Sequence, residues 1–455
     1  MTDPLDRLLR PPQVEPLAPP VGHFAEITRR ARGRRQRRAA GVGLLSAGVV
    51  AGAIGGSVLL TGPATRHADV QTPSSASSAG PASPSPSAAR VLPSPAPTAG
   101  GAPIVGPTGQ PPVGRSNAPV PARFTPQSVT YVSARTGYLL GDAPCPRPVC
   151  TSLVTTTDGG VTWHGLPAPV APLASPSGGD PQRHHVRDVR FANSRDGWVF
   201  GGALYATHDG GARWAEISLP AGLVADLATD GHTAYALVAS CASGGSCLGY
   251  RLYQTPVNAD DWQPVPGVDA PTATGGRLAV SGSHAVVALD THPGSAVWVR
   301  RAGNWSLAAG VPCVGGLPVA GLAASAAGAR LVAMCGEGAA GSLYLTPWVS
   351  DDSGASWQKA ADGSARAVTG VPRIAAATDR LILVASGAPG LGGTVLRSTD
   401  GGRTFADAAL PTKADGWSYV GARSATSLVA LPGTPDGSIW TSGDGGVTWR
   451  PYRFR

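Results

Sequence analysis

Residues 156–163 read TTDGGVTW. An aspartate in a glycine-rich turn beside a tryptophan has the composition of a catalytic or metal loop, but the stretch recurs. THDGGARW occupies 207–214, SDDSGASW 350–357, STDGGRTF 398–405 and SGDGGVTW 442–449. All five fit S/T-x-D-x-G-x-x-W/F, a pattern termed the box below. Their aromatic residues Trp163, Trp214, Trp357, Phe405 and Trp449 are separated by 51, 143, 48 and 44 residues. Three repeats fit the long gap. Two degenerate copies fall at the needed spacing, TPVNADDW ending at Trp262 and WVRRAGNW ending at Trp305. They carry Val257 and Arg300 where the other copies carry Asp158, Asp209, Asp352, Asp400 and Asp444.

Upstream of most boxes lies an apolar alternating run, a turn and a short apolar run, as in VTYVSARTGYLLG (129–141) and VRDVRFANSRDGWVFG (186–201). Each reads as two strands with period-two alternation around a tight turn. A third strand such as SLVTTT precedes the box and a fourth starts inside it, as in VTWHGL. Four strands per unit of about 48 residues is the signature of a propeller blade. Seven units fill 123–455, and a closed ring leaves no exposed sheet edge between blades. The predicted fold is therefore all-β: a seven-bladed β-propeller of four-stranded blades.

Hairpin chemistry assigns each box residue a structural task. Asp158 accepts hydrogen bonds from its own turn, Gly159 and Gly160 supply backbone conformations closed to bulkier residues, and Trp163 packs between sheets. A composition of 11 Trp against 6 Phe and 9 Tyr agrees with one aromatic type placed at repeated positions. Cys145 and Cys150 flank one loop, and Cys241 and Cys247 flank the equivalent loop two blades later, between second and third strands. Local pairing of these couples is the simplest of the connectivities, leaving Cys313 and Cys335.

The propeller is preceded by three segments of different character. Residues 1–38 hold nine Arg against four acids, so +5 of the chain's net charge of +8 sits there. That locality argues against a nucleic-acid partner for the remainder. Residues 39–62 carry no charge; as a helix, this segment reaches roughly 36 Å against a hydrocarbon core of about 30 Å. Seven arginines between Arg29 and Arg38 keep the N-terminus cytoplasmic by the positive-inside bias. Residues 63–122 are dominated by Pro, Ala, Ser and Gly and have almost nothing to bury, so they read as a disordered stalk. The expectation is a single-pass cell-membrane protein with its propeller outside the cytoplasm. Six cysteines, all beyond the apolar segment, suit an oxidising compartment.

The boxes resemble the Asp-box, or BNR, repeat of sialidases, sortilin-type receptors, xyloglucanases and the photosystem II assembly-factor propellers. The resemblance covers the last 333 residues. GW or GY on the second strand followed by TxDGGxxW looks most like the assembly-factor group, which acts by binding other proteins. In these families the boxes lie on outer hairpins away from the catalytic face.

Catalysis finds little in the residues. A sialidase needs three arginines, a Tyr nucleophile with its Glu, and an acid, whereas the exported region has two glutamates, Glu216 and Glu337. Calcium wants six to eight oxygens and each box offers one carboxylate, so neither metal nor cofactor is expected. Arg183, Arg187, Arg190 and Arg195, entering blade two, are a candidate positive patch for an anionic partner. The function expected is non-catalytic recognition or assembly of an envelope protein or glycan. An exported sialidase-like glycosidase and an envelope signalling protein whose tail binds a regulator stand as alternatives.

Overall fold

The computed structural model describes residues 118–455 apart from short segments at 147–148, 175–180, 221, 242–246, 314–315, 327, 340–341, 361–365, 369, 388–391 and 412–414. The basic tail, the apolar span and nearly all of the linker lie outside the described residues. Among the latter, no helix is long and apolar enough to cross a membrane.

The alternating runs form seven sheets, each built from strands consecutive in sequence. In blade one these are Thr125–Tyr131, Gly137–Asp142, Thr151–Thr156 and His164–Leu166, paired antiparallel in that order. The same meander repeats over 188–217, 223–270, 276–307, 319–359, 373–407 and 417–453. The fourth strand of blade one begins at His164, one residue beyond Trp163, rather than inside the box. Blade five has an additional strand, Arg366–Val368, on the half of Ser342–Ser350 that Gln358–Lys359 leaves unpaired.

Alternation along the second strand explains how single sheets make a ring. Leu139 faces the seam with blade seven, while Tyr138 and Leu140 face the seam with blade two. The described residues contain seven buried hydrophobic clusters, one per seam. The box aromatics are distributed one to each: Trp163 at the seam of blades seven and one, then Trp214, Trp262, Trp305, Trp357, Phe405 and Trp449 in order. Trp214 meets Phe191, Trp262 meets Trp198 and Trp305 meets Tyr235, each edge-to-face, the geometry favoured by the ring quadrupoles.

The ring closes without exchanging a strand. Phe124 and Phe454 sit edge-to-face at 5.0 Å, Trp163 packs on Phe454, and the Arg123 N–H donates to the Arg455 carbonyl at 3.0 Å. First strands of successive blades contact one another around the axis. An up-down meander puts first-to-second turns and third-to-fourth hairpins at one end of the ring, the box face. Second-to-third loops and blade-to-blade connections lie at the other end, the loop face.

Candidate functional site

The box face is a set of self-satisfied turns. In blade one the Thr156 hydroxyl donates to Asp158 Oδ1 (2.8 Å) and accepts the Gly160 N–H (2.9 Å). Asp158 also takes the N–H groups of Val161 and Thr162 and the Thr162 hydroxyl. Ser350 with Asp352, Ser398 with Asp400 and Ser442 with Asp444 repeat the pattern, and Thr207 with Asp209 repeats it with the Arg213 guanidinium in place of a hydroxyl. Burial raises the Asp158 pKa, but the hydrogen bonds from Thr162, Thr156 and Val161 more than reverse this and hold it at about 2. Asp352 and Asp400 also lie at about 2, and Asp209 and Asp444 are lowered as well. Each of these carboxylates is held ionised by the donors of its own turn.

A second motif, less visible in sequence, locks four of the five boxes to their own blades. Ser133, Asn193, Thr378 and Ser424 cap first-to-second turns by accepting backbone N–H groups two and three residues on. The carbonyls of Arg135, Arg195, Arg380 and Thr426 in those turns accept the N–H of the first box glycine, Gly159, Gly210, Gly401 and Gly445. Arg135, Arg195 and Arg380 further donate side-chain hydrogen bonds to the carbonyls of Thr157, His208 and Thr399.

The two degenerate copies lack the box aspartate and its bonds; the first keeps one intra-turn bond, from the Thr255 hydroxyl to the Ala259 carbonyl, and both make ion pairs to the preceding blade. Arg300, standing where the box aspartate would be, pairs with Asp230 of blade three at 3.3 Å and lies over the Tyr235 ring. Its hairpin is a tight one in which Arg301 faces Asn304 across Ala302 and Gly303, both at positive φ. In blade three Asp260 receives His208 of blade two at 3.2 Å, while the other ring nitrogen of His208 meets Asp196 at 2.8 Å. Burial disfavours the imidazolium, but hydrogen bonds to Asp196 and Asp260 outweigh it and raise the His208 pKa above its ordinary value.

The loop face is irregular. Three disulfides staple it: Cys145–Cys150 and Cys241–Cys247 close second-to-third loops, and Cys313–Cys335 ties the connection into blade five to its second strand. At its centre the channel opens into a cavity of about 420 Å³. The walls come from the first strands of blades two to seven, with Arg187, Asp188, Arg190, Asp226, Arg277 and Arg373 among the lining residues.

Most of these polar groups are spent on the ring itself. Along the inner edges of the first strands of blades two to five, side chains of the preceding blade cap backbone groups. Gln127 donates to the Arg187 carbonyl, Arg187 to Ala225, Arg190 to Leu227 and Arg277 to Ala320. Ser128 and Asp226 accept the N–H groups of Val189 and Leu278. Arg187 also holds Asp188 at 3.0 Å. Burial pushes the Asp188 carboxyl up, but Arg187 reverses this and leaves it lowered. Burial raises Asp226 and Asp290, with Arg190 and Arg277 offsetting only part of it. Tyr419 is raised by burial against the pull of Arg190.

The four arginines grouped by sequence do not form one patch. Arg187 and Arg190 line the channel, Arg183 is exposed in the connection into blade two, and Arg195 is a box-face clasp equivalent to Arg135 and Arg380. Glu216 pairs with Tyr205 across the outer strands of blade two, away from the channel. Among the described residues no three His, Cys, Asp or Glu side chains gather as metal ligands.

No family model matches the chain, and no curated protein does. Among solved structures it is similar to YCF48 bound to D1 peptide, with 18% identity, TM-score 0.43, and coverage of 74% of this chain and 96% of that one. YCF48 from Cyanidioschyzon merolae matches at 17% identity and TM-score 0.42, over 72% and 96% of the two chains. A PL25 ulvan lyase matches at 12% identity and TM-score 0.44, over 74% and 95%. At these scores the likenesses carry nothing about activity, and the propeller is established by the seven sheets and their seams.

Proposed function

We propose that the protein is a membrane-anchored recognition or assembly module whose Asp-box propeller binds an envelope protein or glycan at the channel mouth of its loop face. One observation carries the reading: the box face spends its polar groups on repeated turns, whereas loops of unequal length, three disulfides and a charged cavity meet at the other end. Rigid scaffolds with variable loops at one end are a common way to present a binding surface. Val371 is 47% exposed at the cavity rim and Val161 is 73% exposed on the box face. A photo-cross-linker placed in cells at residue 371 is expected to capture a specific envelope adduct, and one at residue 161 to capture none. The same adduct from both positions, or none from residue 371, overturns the reading.

A second reading rests on the opposed shifts of Asp188 and Asp226, one lowered and one raised within the same channel. Carboxylates whose pKa values are pushed apart suit the acid and base of a glycoside hydrolase. Against it, Asp188 is tied to Arg187, and Asp226 accepts the backbone N–H groups of Leu227 and Leu278. Turnover of a fluorogenic glycoside by the full chain, lost in Asp226→Asn, would establish this reading in place of the first.

A further inference from the structure

Among the channel arginines, Arg373 stands apart. Arg187, Arg190 and Arg277 each donate to a backbone carbonyl of the next blade. Arg373, on the equivalent first strand of blade six (Arg373–Ala376), makes no side-chain hydrogen bond and no ion pair among the described residues. It nevertheless lines the cavity, only partly exposed. Burial disfavours its charge, Asp188 and Asp226 favour it, and Arg187 and Arg277 oppose it as like charges. The Arg373 nitrogens are not sealed from solvent, so an acceptor entering the channel would exchange water for a charge-assisted pair with a guanidinium that no protein carbonyl engages.

We propose that Arg373 is the binding site for one carboxylate group entering the channel from the loop face. The proposal rests on the channel mouth being the recognition surface and names the chemistry recognised there. Charge sets the valence. The cavity lining holds four guanidinium groups, Arg187, Arg190, Arg277 and Arg373, against three carboxylates, Asp188, Asp226 and Asp290. One positive charge is in excess, so a monoanion neutralises the site and a dianion overshoots it. Geometry sets the class. A planar guanidinium offers parallel N–H donors that match the two oxygens of a carboxylate. The other three guanidinium groups are already held by carbonyls, so the ligand is clasped by one arginine rather than by a set of three. Val371 and Pro372 at the rim, with Leu322 and Ile374 further along, provide apolar contact for the carbon chain behind the carboxylate.

The test uses the full chain in detergent micelles, with acetate as the probe and chloride replacing it at equal ionic strength. Acetate is expected to raise the unfolding temperature saturably, as ligand linkage requires, and to show saturation transfer by NMR; chloride is expected to do neither. Sulfate is expected to bind no tighter than acetate despite its second charge. Arg373→Gln is expected to weaken acetate by at least about tenfold, the equivalent of one charge-assisted hydrogen bond. Arg373→Lys is expected to fall between it and the native chain, and Arg301→Gln, at an exposed arginine outside the cavity lining, to match the native chain. If Arg373→Gln does not fold, Val371→Trp supplies the same information by narrowing the rim without touching the guanidinium, and is expected to abolish the NMR transfer. No saturable response in the native chain, or an unchanged response in both Arg373 and Val371 variants, overturns the proposal. An envelope adduct at residue 371 without acetate binding would leave the recognition reading standing and this inference failed; acetate binding without any adduct would do the reverse.

Discussion

The two ends of the ring use the same residue types to different purposes. On the box face an aspartate is enclosed by hydroxyl and N–H donors of its own turn, five times over. In the channel, Arg187 and Asp226 bridge one blade to the next, and Arg187 also holds its neighbour Asp188. Repetition marks the first set as scaffold, because a residue that recurs in blade after blade serves what all blades need. The loop face, where disulfides and loops differ from blade to blade, is where we propose that recognition takes place. Arg195 shows how the comparison sorts residues: charged and beside other arginines in sequence, it is nonetheless a copy of Arg135 and Arg380.

The largest effect expected from breaking the scaffold comes from its aromatic seam. Trp163 is 5% exposed between the first and last blades, where no strand exchange closes the ring. Trp163→Ala is expected to lower stability by about 3 kcal/mol or more, read by calorimetry, without altering acetate affinity measured well below the transition. The loop face contributes through its staples. Replacing Cys313 and Cys335 with serine opens a loop of 22 residues and is expected to cost about 3 kcal/mol on the chain-entropy model. Unlike the tryptophan variant, it is also expected to weaken capture by the cross-linker at residue 371.

The next effect is smaller and pH-dependent. Asp158→Ala is expected to cost about 1 kcal/mol at neutral pH, the scale of a lost turn cap. Asp158, Asp352 and Asp400 have folded pKa values of about 2, below the ordinary 3.8 of an unfolded aspartate. Their stabilisation is therefore fully present above pH 4 and lost as pH falls from there through 2. Acid unfolding of the native chain is expected to be steep across that window and shallower in Asp158→Ala. His208 has the opposite sign. Its pKa is raised by Asp196 and Asp260, so its contribution is complete below the unfolded value near 6.5 and fades as pH rises through the folded one. His208→Gln is expected to lose a few tenths of a kcal/mol at pH 5 and nearly nothing at pH 9, consistent with a partly exposed pair; denaturant melts at the two pH values check this.

Much of the scaffold could be read from the sequence because it repeats. Seven aromatic residues at a regular spacing counted the blades, and two cysteine couples bracketed equivalent loops in blades one and three. The degenerate copies kept their tryptophans at the seams, although their hairpins took other shapes. The turn clasp around Arg135, Arg195 and Arg380 escaped notice because its partners are backbone carbonyls, which leave no mark on composition. The channel escaped for a different reason. Gln127, Arg187 and Arg277 do the same work with one glutamine and two arginines, at steps of 60 and 90 residues, so no pattern connects them before the ring closes. Grouping Arg183, Arg187, Arg190 and Arg195 by adjacency overlooked how one strand carries the chain from one face to the other.

The division of labour between the faces is tested most directly by a paired substitution. Val371 and Leu248 are exposed on the loop face, and Val161 and Val447 are exposed on the box face. Each pair is changed to glutamate in the full chain, and both variants are assayed for unfolding temperature and for retention of the envelope adduct, detected with the cross-linker at Tyr344, 54% exposed on the third strand of blade five. The account predicts that the loop-face pair loses the adduct at unchanged unfolding temperature, while the box-face pair keeps it. Loss of the adduct in the box-face pair, with the loop-face pair unaffected, would contradict it.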